Sequence, residues 1–172
     1  TGLAYRTIAN VIYQNVDMLT AKRWKPSRNA VILESINHGE KAVQILAAEP
    51  QLDAAYYDLA CAHQLMVSSE ISAAEKIVEK GGSDVNMVGM LASVTASVTA
   101  AMVPLGAALS TAMSSGVDKV VYQLFAEILD EFWAFIDTLY SSSCLDFASG
   151  TLLPKANWIS QAASAVPAIA TI

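Results

Sequence analysis

The segment between residues 85 and 117 restricts the possible folds of this chain more than any other feature, because it contains no charged residue. Its length and hydropathy suit a helix that crosses a membrane. It is also rich in small residues, and Pro104 and Gly106 divide it into two shorter predicted helices at 84–101 and 105–114. Helices with such small side chains would line an interior. The segment therefore faces either lipid or the inside of the protein, and the sequence leaves both open.

The composition extends this choice to the whole chain. Of its 172 residues, 54% are hydrophobic and 15% are charged, whereas a typical soluble domain has about 25% charged residues. One domain of this length does not need so much apolar surface for its core. The excess must therefore be buried against lipid, against a partner or against apolar ligands.

The net charge argues against nucleic acid as a partner. The chain carries a formal charge of −6, and a nucleic-acid surface needs a basic patch that displaces counterions. One group of basic residues does lie close together in the sequence, at Lys22, Arg23, Lys25 and Arg28. We interpret this group as a solvated basic loop.

Apolar residues recur at helical spacing along most of the chain, and no stretch alternates as a strand would, so we predict an all-α fold. Besides the two helices of the uncharged segment, helices are predicted at 3–21, 30–47, 52–67 with a continuation to 79, and 117–140. Residues 141–154 are predicted to form a loop, and 155–165 a short amphipathic helix. We expect one helical domain at 1–140 and a C-terminal extension at 141–172 that serves as a docking segment.

The chain lacks the residue patterns that enzymes need, and we predict that it is not an enzyme. Paired carboxylates can perform acid–base chemistry, but those of the helix predicted at 117–140 fall on its solvated side; they are Glu127, Asp130, Glu131 and Asp137. A di-iron site of the four-helix type requires a glutamate three residues before a histidine, and neither histidine of this chain has one. No nucleophile elbow, phosphate loop or zinc pattern is present.

His63 is the residue best suited to binding a ligand. Its neighbours one turn away along the helix are apolar: Leu59, Ala60, Met66 and Val67. One interpretation is a core histidine with a backbone partner. The other is an axial ligand to a planar macrocycle, direct or through a water, because neutral imidazole is a good nitrogen ligand. The small side chains of Ala60 and Ala62 would let a flat ring approach.

Five short stretches of the chain match, in order and spacing, those of one known family. They are Val-Asp at 16–17; Leu-Glu at 33–34 with Glu-Lys at 40–41 and Ala-Ala-Glu-Pro at 47–50; Ala-Cys-Ala-His-Gln at 60–64 ending at Ser69; Asp84 with Val-Asn at 85–86; and Ala-Ser-Val at 96–98 with Met-Val at 102–103. On these motifs, and over about residues 5–135, the chain resembles one half of a dinoflagellate peridinin–chlorophyll protein.

In that family, helices surround a boat-shaped apolar cavity filled with carotenoid and chlorophyll a. The resemblance implies a multi-helix orthogonal array around such a pigment cavity, with chlorophyll a and peridinin or a similar carotenoid as cofactors. It places His63 near the chlorophyll magnesium, linked through a water, and Asn86 beside a pigment. Ala60, Met66 and Val67, the helical neighbours of His63, complete the expected pigment site.

The chain departs from the family pattern at several points. Gln64 stands where the family has a second histidine, and Met18 stands where it has tryptophan. One half of the family's length is present, so a full cavity would need a homodimer or another partner. The extension at 141–172 has no counterpart in the family.

The resemblance implies a light-harvesting protein on the lumenal side of the chloroplast thylakoid, which absorbs blue-green light and passes excitation to a photosystem. The alternative is a structural, peripheral subunit of a photosystem–antenna supercomplex with few or no pigments of its own. A third hypothesis, independent of the resemblance, is a membrane-inserting helical protein that uses residues 85–113.

Overall fold

The computed structural model describes residues 1–21, 27–80, 87–111 and 117–145. Asn86 and the greater part of the predicted extension, residues 146–172, lie outside these ranges. Within them every secondary-structure element is an α-helix, which confirms the all-α prediction. The helices are α1 (Gly2–Gln14), α2 (Val16–Thr20), α3 (Arg28–Ile45), α4 (Leu52–Glu79), α5 (Met87–Thr111) and α6 (Val117–Leu145).

A break at Asn15 divides the first predicted helix into α1 and α2. The backbone of Asn15 leaves the helical region, with φ −115° and ψ 15°. Its side-chain Nδ2 donates to the carbonyl of Val11 at 2.7 Å. A side chain that bonds to its own helix in this way competes with the regular backbone ladder, and the prediction of one helix over 3–21 was therefore wrong.

Over its described residues 87–111 the uncharged segment forms one helix, and the break predicted near Pro104 was wrong. Proline in a helix interior removes one backbone hydrogen bond and costs about 3 kcal/mol. Its neighbours Met102 and Leu105 are almost wholly buried, and burial of each such side chain stabilises the fold by about 1.5–3 kcal/mol. Packing on both sides of Pro104 thus outweighs the defect, and α5 continues to Thr111.

Helix α4 reaches the longer of its two predicted ends, and α6 extends beyond its predicted end at residue 140. α4 runs without a break through Ser68 and Ser69 to Glu79, which confirms the predicted continuation. α6 ends at Leu145, so residues 141–145 are helical and the loop predicted from 141 onward was wrong there.

Two clusters of buried side chains hold the helices together, and α4 contributes to both. The first cluster joins α4, α5 and α6; its fully buried members include Val67, Val98, Leu105, Ile128, Phe135 and Leu139. The second cluster joins α1, α2, α3 and α4; its members include Val16, Val31, Ile32, Ile36, Leu59 and Ala62. Each cluster forms one packed layer. Helix α4 lies between the two layers, and its side chains contact both.

One described helix is long and apolar enough to cross a membrane, namely residues 89–111 of α5, with a mean hydropathy of 1.6. Of the 18-residue stretch of this helix on which the hydropathy is averaged, 39% is buried inside the fold. The core helix of a soluble protein meets the same criteria of length and composition. Residues such as Val94, Val98 and Ala101 of this helix are packed in the first cluster.

Candidate functional site

His63 lies where the two clusters meet on α4. Ala60 and Val67, one turn to either side, are buried in the first cluster. Leu59 is buried in the second cluster, and Met66 packs against it. Because residues three and four apart share one side of a helix, the imidazole is flanked by apolar side chains of both layers.

The environment of His63 favours the neutral imidazole. The ring is half-buried, and burial lowers its pKa because the imidazolium loses hydration. Two side-chain atoms in the described part of the chain are buried without a partner, and both lie elsewhere, His38 Nδ1 and Thr95 Oγ1. His63 is not one of them, and its half-buried imidazole lies at the boundary between the two clusters.

The predicted neighbours of His63 differ in what they can offer a ligand. Ala60 and Val67 are fully buried, so a ligand outside the helix would not touch them. Met66 is half-buried and shares the accessible side of α4 with His63. Asn86, the other predicted pigment residue, lies outside the described residues. Of the predicted site, His63 and Met66 thus form the accessible part.

Farther along α4, the carboxylate of Glu70 bonds to α5, the helix without charged residues. Glu70 Oε2 accepts hydrogen bonds from Ser97 at 2.7 Å and from Ser93 at 3.3 Å. Ser93 and Ser97 are one turn apart on α5, so a single carboxylate joins the two helices. The serines of this segment, which the sequence suggested as small lining residues, thus include two that hold α4 against α5.

A thiol and two phenols lie together on another part of α4 and its neighbours, which the sequence did not indicate. Burial raises the pKa of Tyr57 to about 12 and that of Cys61 to about 11, and the nearby Tyr57 hydroxyl partly offsets the shift of Cys61. Burial also raises the pKa of Tyr13 on α1. A thiol with such a pKa stays protonated near neutral pH and is a poor nucleophile, so Cys61 is a packing residue.

Three of the four acidic residues predicted on the solvated side of α6 are exposed: Glu127, Asp130 and Asp137. Glu131 differs, because it is half-buried and accepts a hydrogen bond from Ser68 at 2.7 Å.

Throughout the described ranges, no three His, Cys, Asp or Glu side chains are grouped so that they could hold a metal ion.

Two surface concavities lie away from His63. The smaller, about 320 Å³, is formed where α1 begins and α3 ends, between Gly2, Leu46 and Pro50. The larger, about 560 Å³, lies between the beginning of α3 and the middle of α4, and most of the residues that line it have polar side chains. Neither is lined by the residues of the predicted pigment site.

Comparison of the chain with protein-family models, with curated proteins and with solved structures finds no match to any of them.

Proposed function

We propose that this chain is a light-harvesting protein that holds chlorophyll a and a carotenoid of the peridinin type, on the lumenal side of the thylakoid. The observation that carries the proposal is the half-buried His63, whose pKa is lowered by burial and whose helical neighbours belong to two apolar layers. The five motifs shared with the peridinin–chlorophyll family support the same function.

The donor set at this position fits the group it would hold. The neutral imidazole of His63 would hold the magnesium of a chlorophyll, directly or through a water. Met66, on the same accessible side of α4, would contact the flat apolar ring, because a thioether adapts to irregular surfaces. When bound, the chlorophyll supplies absorption and energy transfer, whereas the protein positions the ring and shields it from water.

The pigments would lie between chains and not inside one. Each apolar layer of this chain is filled by its own side chains, as the full burial of Phe135 and Ile32 illustrates. The resemblance also covers one half of the family's length. We therefore propose that a second copy, or another antenna subunit, closes the pigment site over α4, and that the assembly passes excitation to a photosystem.

A second candidate function is a structural subunit of a photosystem–antenna complex with few pigments of its own. It is favoured by three exposed apolar residues of α1, which are Leu3, Ile8 and Val11. A surface of this kind is typical of contacts between proteins. Under this proposal residues beyond α6, from 146 onward, serve as the docking segment.

Pigment reconstitution tests the first proposal. The full chain is refolded with chlorophyll a and peridinin, separated from free pigment, and its absorption spectrum and pigment content are measured. We expect bound pigment in the wild type, a clear loss of chlorophyll or a shift of its red band in His63→Leu, and retention in His38→Leu, which makes the same change at a half-buried site on α3.

Two outcomes would decide against it. A wild type that stays colourless would contradict pigment binding, and equal pigment content in all three proteins would remove His63 from the site. The structural alternative is tested separately by deleting residues 146–172, which leaves α6 intact. It predicts loss of co-purification with the membrane complex, and unchanged co-purification would contradict it.

A further inference from the structure

The larger concavity, away from the proposed pigment site, has a lining suited to an oxyanion. It measures about 560 Å³ and is bounded by the first residues of α3 and by one side of α4. Its lining contains two cations, five amide or hydroxyl side chains and no carboxylate; the residues are Ser27, Arg28, Asn29, Ser68, Ser69, Ser72, Ala73 and Lys76.

The two cations come from opposite walls. Arg28 belongs to α3 and Lys76 to α4, so a ligand between them would meet positive charge on both sides. A planar guanidinium and an ammonium are the groups that bind phosphate oxygens most strongly in proteins. The first backbone N–H groups of α3 add partial positive charge to the same wall.

Hydrogen bonds within the lining leave donors for a ligand. Ser69 donates from Oγ to Oδ1 of Asn29 at 2.6 Å, so the amide that remains on Asn29 can only donate. Ser27 Oγ accepts from the backbone N–H of Ala30 at 3.3 Å, and its hydroxyl proton remains a donor. These polar groups match the acceptor oxygens of a phosphate better than they match a cation.

Two carboxylates are bonded to residues of this lining. Glu131 accepts the hydroxyl proton of Ser68 at 2.7 Å, so Ser68 has no proton left to donate to a ligand. Asp17 pairs with Arg28, but 86% of its side chain is exposed to solvent. Such exposed ion pairs contribute little to stability, so a ligand oxygen can replace Asp17 at the guanidinium without a large cost.

The charge distribution of the sequence supports an anionic ligand. The chain is acidic overall, yet Lys22, Arg23, Lys25 and Arg28 are four of its 10 basic residues. This concentration would be unfavourable by self-repulsion unless an anion or solvent screens it. Arg28 is the member of the group that lines the concavity.

We propose that this concavity binds a phosphate group, either free or as the headgroup of an acidic lipid. Arg28 and Lys76 hold the phosphate oxygens from opposite walls, and the amide of Asn29 and the hydroxyl of Ser27 donate to them. This binding is independent of the pigment site at His63 and would allow the protein to bind to a charged membrane surface or to a phosphorylated compound.

The test is a titration of the full ¹⁵N-labelled chain with inorganic phosphate at pH 7.5 and constant ionic strength. We expect saturable shifts of the backbone amides at 27–30 and 68–76. Arg28→Gln and Lys76→Gln should each weaken binding by about tenfold, the loss of one charge-assisted contact. Lys80→Gln removes the same charge one turn beyond Lys76 without touching the lining and should leave binding unchanged.

A vesicle arm separates the two sources of phosphate. Co-sedimentation with phosphatidylcholine vesicles that contain phosphatidic acid, lost in Lys76→Gln and competed by free phosphate, would identify a lipid headgroup. Saturable phosphate binding without sedimentation would identify a free phosphorylated compound. The proposal is wrong if phosphate causes no saturable shift, or if Arg28→Gln and Lys76→Gln bind as tightly as Lys80→Gln while all of them keep the wild-type circular dichroism.

Discussion

Arg6 of α1 donates from its Nε to Oδ2 of Asp58 on α4, at 2.5 Å and across 52 positions of sequence. The same carboxylate oxygen accepts from Nδ2 of Asn10 at 3.0 Å, and Nη1 of Arg6 reaches Oε1 of Gln51 at 3.3 Å. This network fixes α1 against the helix that carries His63. No local sequence pattern predicts this contact, because its partners are 45 to 52 positions apart.

Removal of Asp58 should destabilise the fold more than removal of an exposed carboxylate. Asp58→Ala leaves Arg6 and Asn10 without their acceptor in a partly buried place, so we expect a loss of about 1–3 kcal/mol in the free energy of unfolding. Urea titration followed by circular dichroism measures it. Asp17→Ala, which breaks the solvated pair with Arg28, is the control and should cost about 1 kcal/mol or less. Equal losses would contradict the assignment.

His63 should make the protein less stable in acid. Burial lowers its folded-state pKa below the value of 6.5 that applies in the unfolded chain. As the pH falls through 6.5, the unfolded chain takes up a proton first, so stability decreases until the folded pKa is also passed. His63→Gln cannot titrate and should show a smaller loss.

The measurement is the unfolding midpoint in urea at a series of pH values from 8 to 5. The quantity to compare is the slope below pH 6.5, because the substitution also changes stability at every pH. An identical slope in the wild type and in His63→Gln would show that this imidazole is not desolvated in the folded state.

Phe135 and Trp133 test the first cluster from two sides of the same helix. Phe135 is fully buried, whereas 40% of Trp133 is exposed. Phe135→Ala should cost about 3–5 kcal/mol, since it removes buried surface and leaves a cavity. Trp133→Ala should cost clearly less. Chemical unfolding measures both, and a larger loss in Trp133→Ala would mean that α6 is rotated relative to α4 and α5.

Cys61 should react slowly with thiol reagents. Its pKa of about 11 leaves a thiolate fraction at pH 8 that is roughly a hundredfold or more below that of an ordinary cysteine with a pKa near 8.5. Cys144→Ser isolates the signal of Cys61. We expect slow alkylation of the folded protein and fast alkylation in urea, measured by mass spectrometry. Equally fast reaction in both states would contradict its burial.

The sequence predicted the helices well because helix formation is a local property. Hydrogen bonds span four residues and apolar spacing repeats within one turn, so the positions of α3, α4 and α6 could be inferred to within a few residues. The helix break predicted at Pro104 was wrong for a nonlocal reason. Its cost is local, but the packing that offsets it comes from α4 and α6, which the sequence does not place.

The candidate site, too, was predicted from the sequence only in part. The apolar neighbours of His63 follow from its position on a helix, and the sequence alone indicated them. Only the tertiary structure showed that Ala60 and Val67 are buried in the first cluster while Met66 stays accessible. Only the structure showed, too, that Arg28 and Lys76 line one concavity.

The charge-free segment at 85–117 illustrates the division most clearly. Its composition by itself determined that it would seek an apolar environment, because it contains no charged side chain. The sequence did not determine which side would be covered. That depended on α4 and α6, whose side chains bury Leu91, Val98 and Leu105, and on Glu70, which takes hydrogen bonds from Ser93 and Ser97. Burial is a property of pairs of surfaces, and one surface alone does not specify its partner.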